Sequence, residues 1–195
     1  MEQDVPGYSK KRKARCNQKK KGNANELAAT KALQKWTGVK FTRTPQSGAL
    51  RRINSDGIVA DIIPDTLDKN FYWPFSVETK HLMHIPVAKQ LPKNSMIFSI
   101  WEQVHRDALR AEQLPMALLR SNGMPSGEYY LILRRDSGGR LLSLAAPVAF
   151  YGFNGTYDLM GFMFSDVVKT TDYTLFSKAI KAAKLLPNVT LFITE

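Results

Sequence analysis

Residues 75–80 read Phe-Ser-Val-Glu-Thr-Lys, an apolar run closed by an acid and a base two positions apart. Pro74 would interrupt an earlier start in mid-sheet, so the spacing predicts a β-strand over 75–80. Side chains two apart on a strand project from one face. Glu78 and Lys80 therefore point together, and Val77 and Thr79 point the other way. A second run, Ile58-Val-Ala-Asp-Ile-Ile before Pro64, carries Asp61 among apolar neighbours. An ionised carboxylate in such a run needs a donor, a cation or a metal beside it. If the two strands are neighbours, Asp61 and Glu78 converge at one end of the sheet.

The rest of the chain supplies partners for that sheet. "GNANELAATKALQKWTG" predicts a helix over about 24–36, with Asn23 and Glu26 spaced as a capping box and Gly38 as its stop. "VKFTRTP" reads as a short strand ended by Pro45. "SMIFSIWEQVHRDALRAEQ" predicts a helix over 95–112, capped by Asn94 or Ser95, with Met96, Ile100, Val104 and Ala108 as its stripe. "MALLRS" and "YYLILRR" read as strands separated by turn residues, and 136–139 as a further turn. A terminal helix within 172–187 and a last strand at "VTLFITE" follow. Helices and strands in this order predict an α/β (α+β) fold with a mixed central β-sheet flanked by helices. The expected organisation is a disordered basic arm at 1–21, a core at 22–135 and a C-terminal extension at 136–195 packed on it.

Charge narrows the partner. The 195 residues carry a formal net charge of +11. Residues 1–21 hold eight Lys/Arg against two acids, and the remainder is basic too. A polyanion is the natural partner, and nucleic acid fits better than a membrane because no hydrophobic anchor accompanies the charge. No apolar run reaches membrane-spanning length, and the first residues carry no secretory pattern. Cys16 is the single cysteine, which excludes an intrachain disulfide and a cysteine-rich zinc site. His81 and His84 are read as stacking or ordinary surface residues, since a histidine zinc site lacks further ligands.

Two converging carboxylates with a backbone carbonyl and water make an oxygen-rich site suited to Mg²⁺ or Mn²⁺. Lys80 beside it would meet a phosphate, and Glu26 on the first helix could reach the same ion. The loop between the first two strands adds Arg43, Gln46, Ser47, Gly48, Arg51 and Arg52, with forked donors for phosphate. On the 95–112 helix, Gln103, Arg106 and Arg110 share a face. Further DNA contacts are expected from Lys11, Arg12, Lys13, Lys19, Lys20 and Lys21. Each element has a plainer reading too: a polar strand end, a solvated loop, an ordinary helix face.

In this order, residues 22–80 resemble the PD-(D/E)XK nuclease superfamily, most closely the archaeal-type Holliday junction resolvases. The resemblance is carried by Gly22, Glu26, "RTPQSG" at 43–48, "ADII" at 60–63 and "ETK" at 78–80. It implies a restriction-endonuclease-like core, with Glu26, Asp61, Glu78 and Lys80 as the catalytic set. It also implies Ser47 near the scissile phosphate and Gln103 as the helix glutamine that follows the lysine. Ala60 stands where the family has proline, and "PDTLDKNFYWPF" lengthens the connection between the strands. The implied activity is metal-dependent hydrolysis of a DNA phosphodiester, leaving a 5′-phosphate. The implied substrate is a four-way or other branched junction, cut by a homodimer in a cytoplasmic or nucleoid-associated, prokaryotic or viral setting. The alternatives are another PD-(D/E)XK endonuclease, acting on branched, nicked or sequence-specific duplex DNA, and a non-catalytic DNA-binding protein.

Overall fold

The strand predicted over 75–80 runs from Phe75 to Leu82, and its first five residues are buried. That unbroken burial is what a strand covered on both faces requires. The computed structural model describes residues 8–44 and 60–185, with side chains from residue 18 onward. Its elements are α1 (Tyr8–Thr37), β1 (Phe41–Arg43), β2 (Ile62–Pro64), β3 (Phe75–Leu82), β4 (Gln90–Leu91), α2 (Met96–Arg110), β5 (Leu114–Ser121), β6 (Tyr130–Arg134), α3 (Arg135–Ser143), β7 (Val148–Phe153), β8 (Asp158–Met163), α4 (Phe164–Thr170) and α5 (Tyr173–Ala183). The strands form one eight-stranded sheet in the order β1-β2-β3-β5-β6-β8-β7-β4. β3 and β5 run parallel, as do β4 and β7, and the other pairs are antiparallel. The sheet is therefore mixed and flanked by helices, as predicted. Among the described residues no helix is long and apolar enough to cross a membrane.

Alternation along the strands sorts the core into two layers. Val77, Met116, Leu118 and Leu131 face Ala29, Leu33 and Trp36 of α1 and Phe164, Tyr173 and Phe176 of α4 and α5. Ala117, Leu119 and Ile132 face Ile97, Phe98, Trp101 and Val104 of α2. Ser95 caps α2 by accepting from the Ile97 N–H at 3.4 Å. Of the predicted stripe of α2, Val104 and Ala108 are buried, while Ile97 and Trp101 take the buried places expected of Met96 and Ile100. Trp101 is 1% exposed, and Met96 is 41% exposed.

Two predicted elements are corrected. α1 starts at Tyr8 rather than near residue 24, so the basic stretch from Tyr8 to Lys21, expected to be disordered, has helical backbone. Lys, Arg, Gln and Ala are good helix formers, and a single glycine, Gly22, costs only about 1 kcal/mol within such a run. Asn23 is consequently inside α1 and does not cap it. The turn expected at 136–139 is the first half of α3. There the Asp136 carboxylate accepts the Ser137 N–H at 2.6 Å, and Gly138 lies directly against Met160. The last predicted strand, at 189–195, lies outside the described residues.

Residues 136–185 continue the same sheet, since β8 hydrogen-bonds β6 and β7 hydrogen-bonds β8. Phe150 and Gly161 are cross-strand partners there. A Cβ added at Gly161 would come within 2.1 Å of the buried Phe150 ring. Gly161→Ala should therefore destabilise the fold by about 3 kcal/mol and lower the melting temperature by roughly 6–12 °C. A thermal melt checks this, and an unchanged midpoint would mean that Phe150 is not seated on that glycine.

Candidate active site

Where β2 and β3 part, the sheet opens into a cleft. The two strands share one register pair, Ile62 with Val77. Asp61, just before β2, donates its backbone N–H to the Val77 carbonyl at 2.9 Å. Its carboxylate Oδ2 then accepts the Thr79 N–H at 3.0 Å. A side chain thus takes the place of a strand carbonyl at the point of separation, and it fixes Asp61 against β3. The resulting cleft, about 680 Å³, is lined by Lys21, Asn25 and Glu26 of α1, by Asp61, by Glu78 to His81 of β3, and by Gln103 of α2.

Glu78 is buried, and its Oε1 collects two donors. Lys80 Nζ lies 2.6 Å away and Gln103 Nε2 3.3 Å away. The first contact follows from strand alternation, because both side chains leave the same face of β3. The second follows from α2 lying on that face. Gln103 therefore meets Glu78. Arg106 is exposed on the same helix.

Glu26 enters from α1 on the other side. Arg43 of β1 grips Glu26 Oε2, with Nε and Nη2 each at 2.6 Å, and donates from Nη2 to Asn23 Oδ1 at 2.9 Å. In this structure Arg43 ties β1 to α1 and neutralises Glu26. Lys19 and Lys20 are exposed, and Lys21 donates to Asn122 Oδ1 at 2.9 Å. Ser47, Arg51 and Arg52, and the side chains of Lys11, Arg12 and Lys13, lie outside the described residues.

The electrostatics of the cleft centre on Asp61. Burial, first, and the charge of Glu78, second, push its carboxyl up to about 7, and Glu26 adds to the effect. The Thr79 N–H and Lys80 oppose this without cancelling it. Negative charge thus accumulates at one point with too little positive charge beside it. Among the described residues no group of three or more His, Cys, Asp or Glu side chains is gathered closely enough to hold a metal ion. The donor chemistry of Asp61 and Glu78 nonetheless fits a hard divalent cation, which would relieve the repulsion that raises Asp61.

Two polar atoms of this cleft carry no mark in the sequence. Asn25 is 5% exposed and its Oδ1 has no partner among the described residues, and the Thr79 Oγ1 is likewise buried and unpartnered among them. Asn25 reads as one more polar residue in a polar helix. Its burial depends on Tyr129, whose hydroxyl donates to the Asn25 carbonyl from 104 residues away at 3.0 Å. Only the packing of α1 on the strands reveals it.

The chain matches a family model described as "Phage putative PDDEXK endonuclease" over residues 17–137. No curated protein and no solved structure matches it. The matched span takes in α1 from residue 17 onward, Asp61 and β2, the Glu-x-Lys strand β3, α2 and the strand pair β5–β6. With more than half of its length covered in this way, the chain belongs to that PD-(D/E)XK endonuclease family.

Proposed function

We propose that the cleft hydrolyses DNA phosphodiester bonds as a divalent-metal-dependent endonuclease. The observation that carries this reading is the meeting of Asp61, Glu78 and Lys80 where β2 leaves β3. Asp61 and Glu78 would hold Mg²⁺ or Mn²⁺, with Glu26 near enough to contribute through water. Bound there, the ion would polarise a phosphoryl oxygen and lower the pKa of a water. Lys80 starts from its ion pair with Glu78 and turns toward the phosphate when one enters, placing a positive charge where negative charge grows in the transition state. Gln103 keeps Glu78 oriented while Lys80 moves. The Asp61 carboxylate, held by the Thr79 N–H, stays in register with both.

The substrate in this proposal is DNA, either branched, nicked or of a particular duplex sequence. The narrower reading, a Holliday junction resolvase that makes paired symmetric nicks as a homodimer, rests on the resemblance of residues 22–80 alone. Cleavage of a labelled four-way junction in competition with linear duplex of equal length, in Mg²⁺ and in Mn²⁺, tests both levels. Metal-dependent cutting of either DNA is the result expected of an endonuclease. Strong junction preference with paired nicks would support the narrower reading, and equal cutting of both substrates would remove it. No cutting of any DNA, with binding intact, would leave a DNA-binding protein in place of an enzyme.

A further inference from the structure

The floor of the cleft is acidic, with Asp61, Glu78 and Glu26 on it. A DNA backbone entering there is repelled by those groups until positive charge beyond them holds it. The structure gathers such charge on the α1 side. Lys21 of α1 and His81 of β3 both line the cleft. His81 is the register partner of Arg120 on the parallel strand β5, so the two leave the sheet side by side. Lys21 reaches across to Asn122, two residues past Arg120. Arg120 donates from Nη2 to the Met124 carbonyl at 2.9 Å, and its Nε is buried without a partner among the described residues.

None of Lys21, His81 and Arg120 forms an ion pair with a carboxylate among the described residues. This sets them apart from Arg43, Lys80 and Arg110, which are all paired. Burial first, then the charges of Lys21 and Arg120, hold the His81 imidazole below its usual range, against a side-chain hydrogen bond with Asn122.

We propose that Lys21 and His81, positioned by Arg120, form a second phosphate seat that holds a linkage of the DNA backbone flanking the scissile one. The seat rests on the endonuclease reading of the neighbouring carboxylates. Its ligand is a phosphodiester with two free oxygens. The Lys21 ammonium meets one oxygen, and the His81 ring N–H meets the other. Arg120 touches neither oxygen. It fixes the 122–124 turn through Met124 and adds its charge behind His81. The seat would keep the strand in register with Lys80, since positioning by backbone contacts needs no base reading.

The test is a salt titration of DNA binding by the full chain. Fluorescent linear duplex and a four-way junction are used, with Ca²⁺ in place of Mg²⁺ to prevent turnover. Each phosphate contact contributes about one to the slope of log affinity against log salt. Lys21→Ala should lower that slope by about one and weaken binding roughly tenfold at low salt, and Lys21→Arg should restore both. His81→Gln should weaken binding several-fold with little change in slope. Lys178→Ala, at an exposed lysine of α5 that does not line the cleft, should leave both unchanged.

A Lys21→Ala slope equal to that of wild type, in protein with an unchanged melting temperature, would overturn the seat. So would binding losses equal to those of Lys178→Ala. Wild-type cleavage in Mg²⁺ is scored separately, so a failed seat and a failed nuclease reading give different results.

Discussion

Asp61→Asn is expected to melt above wild type at pH 8 without divalent metal, and to cut no DNA. Burial and the Glu78 charge raise the Asp61 carboxyl to about 7, well above its value in an unfolded chain. Between those two values the unfolded chain has released the proton and the folded one still holds it. The contribution of Asp61 to stability is therefore greatest below its unfolded pKa. It falls as pH rises and is lowest once pH has passed about 7.

Asparagine keeps an acceptor for the Thr79 N–H and cannot ionise, so it removes the penalty. The gain should be on the order of 1–3 kcal/mol at pH 8, after allowance for the cleft's access to water, and should vanish toward pH 4. A stabilised protein that has lost its activity is the usual signature of charge crowded for function. Adding Mg²⁺ should raise the wild-type midpoint by mass action and leave that of Asp61→Asn nearly unmoved. Thermal melts at pH 4, 6 and 8, with metal and with chelator, check each part. A variant less stable than wild type at pH 8 would show that Asp61 is held by its surroundings rather than strained by them.

Lys80→Ala is expected to slow cleavage roughly 10²–10³-fold, the usual cost of removing one group that stabilises transition-state charge. Folding should change little, because Lys80 is a third exposed and its 2.6 Å pair with Glu78 is only partly buried. Its loss leaves Glu78 with Gln103 as remaining side-chain donor. DNA binding should weaken much less than turnover, since in the proposed mechanism the lysine acts on the reacting phosphate and the proposed seat at Lys21 holds the strand elsewhere. Single-turnover rates beside binding constants separate the two effects. A fall in binding as large as the fall in rate would make Lys80 a docking residue.

Parts of this architecture were legible residue by residue. The period-two pattern of "FSVETK" places Glu78 and Lys80 on one face, and the 2.6 Å contact between them follows from that alone. Asp61 was marked by its apolar neighbours, and the antiparallel pairing of β2 with β3 supplied the convergence the sequence could state only as a condition. Local signals also placed α2, β5 and β6 within a few residues.

What stayed hidden depends on contacts between distant segments. "DSGG" has the composition of a turn, yet it is helical because Gly138 lets α3 settle against Met160. The β7 and β8 strands carry glycines that weaken their pattern, and Gly161 is there because Phe150 covers it. Arg43 read as a phosphate ligand, but β1 lies beside α1 and delivers its guanidinium to Glu26. Asn25 gave no signal at all, since its place in the cleft wall comes from α1 packing on β3, and Arg120 gave none, since its place beside His81 comes from the pairing of β3 with β5.

One metal-dependent cleft, built from Asp61, Glu78 and Lys80, is proposed to cut DNA. Its most direct test is single-turnover cleavage of end-labelled DNA in Mg²⁺ by wild type, Glu78→Ala and Lys80→Ala, with all three shown to be folded by their melts. The expected result is cutting by wild type that chelation abolishes and that both substitutions reduce at least about a hundredfold. Cleavage undiminished in both variants, or unaffected by chelation, would contradict it.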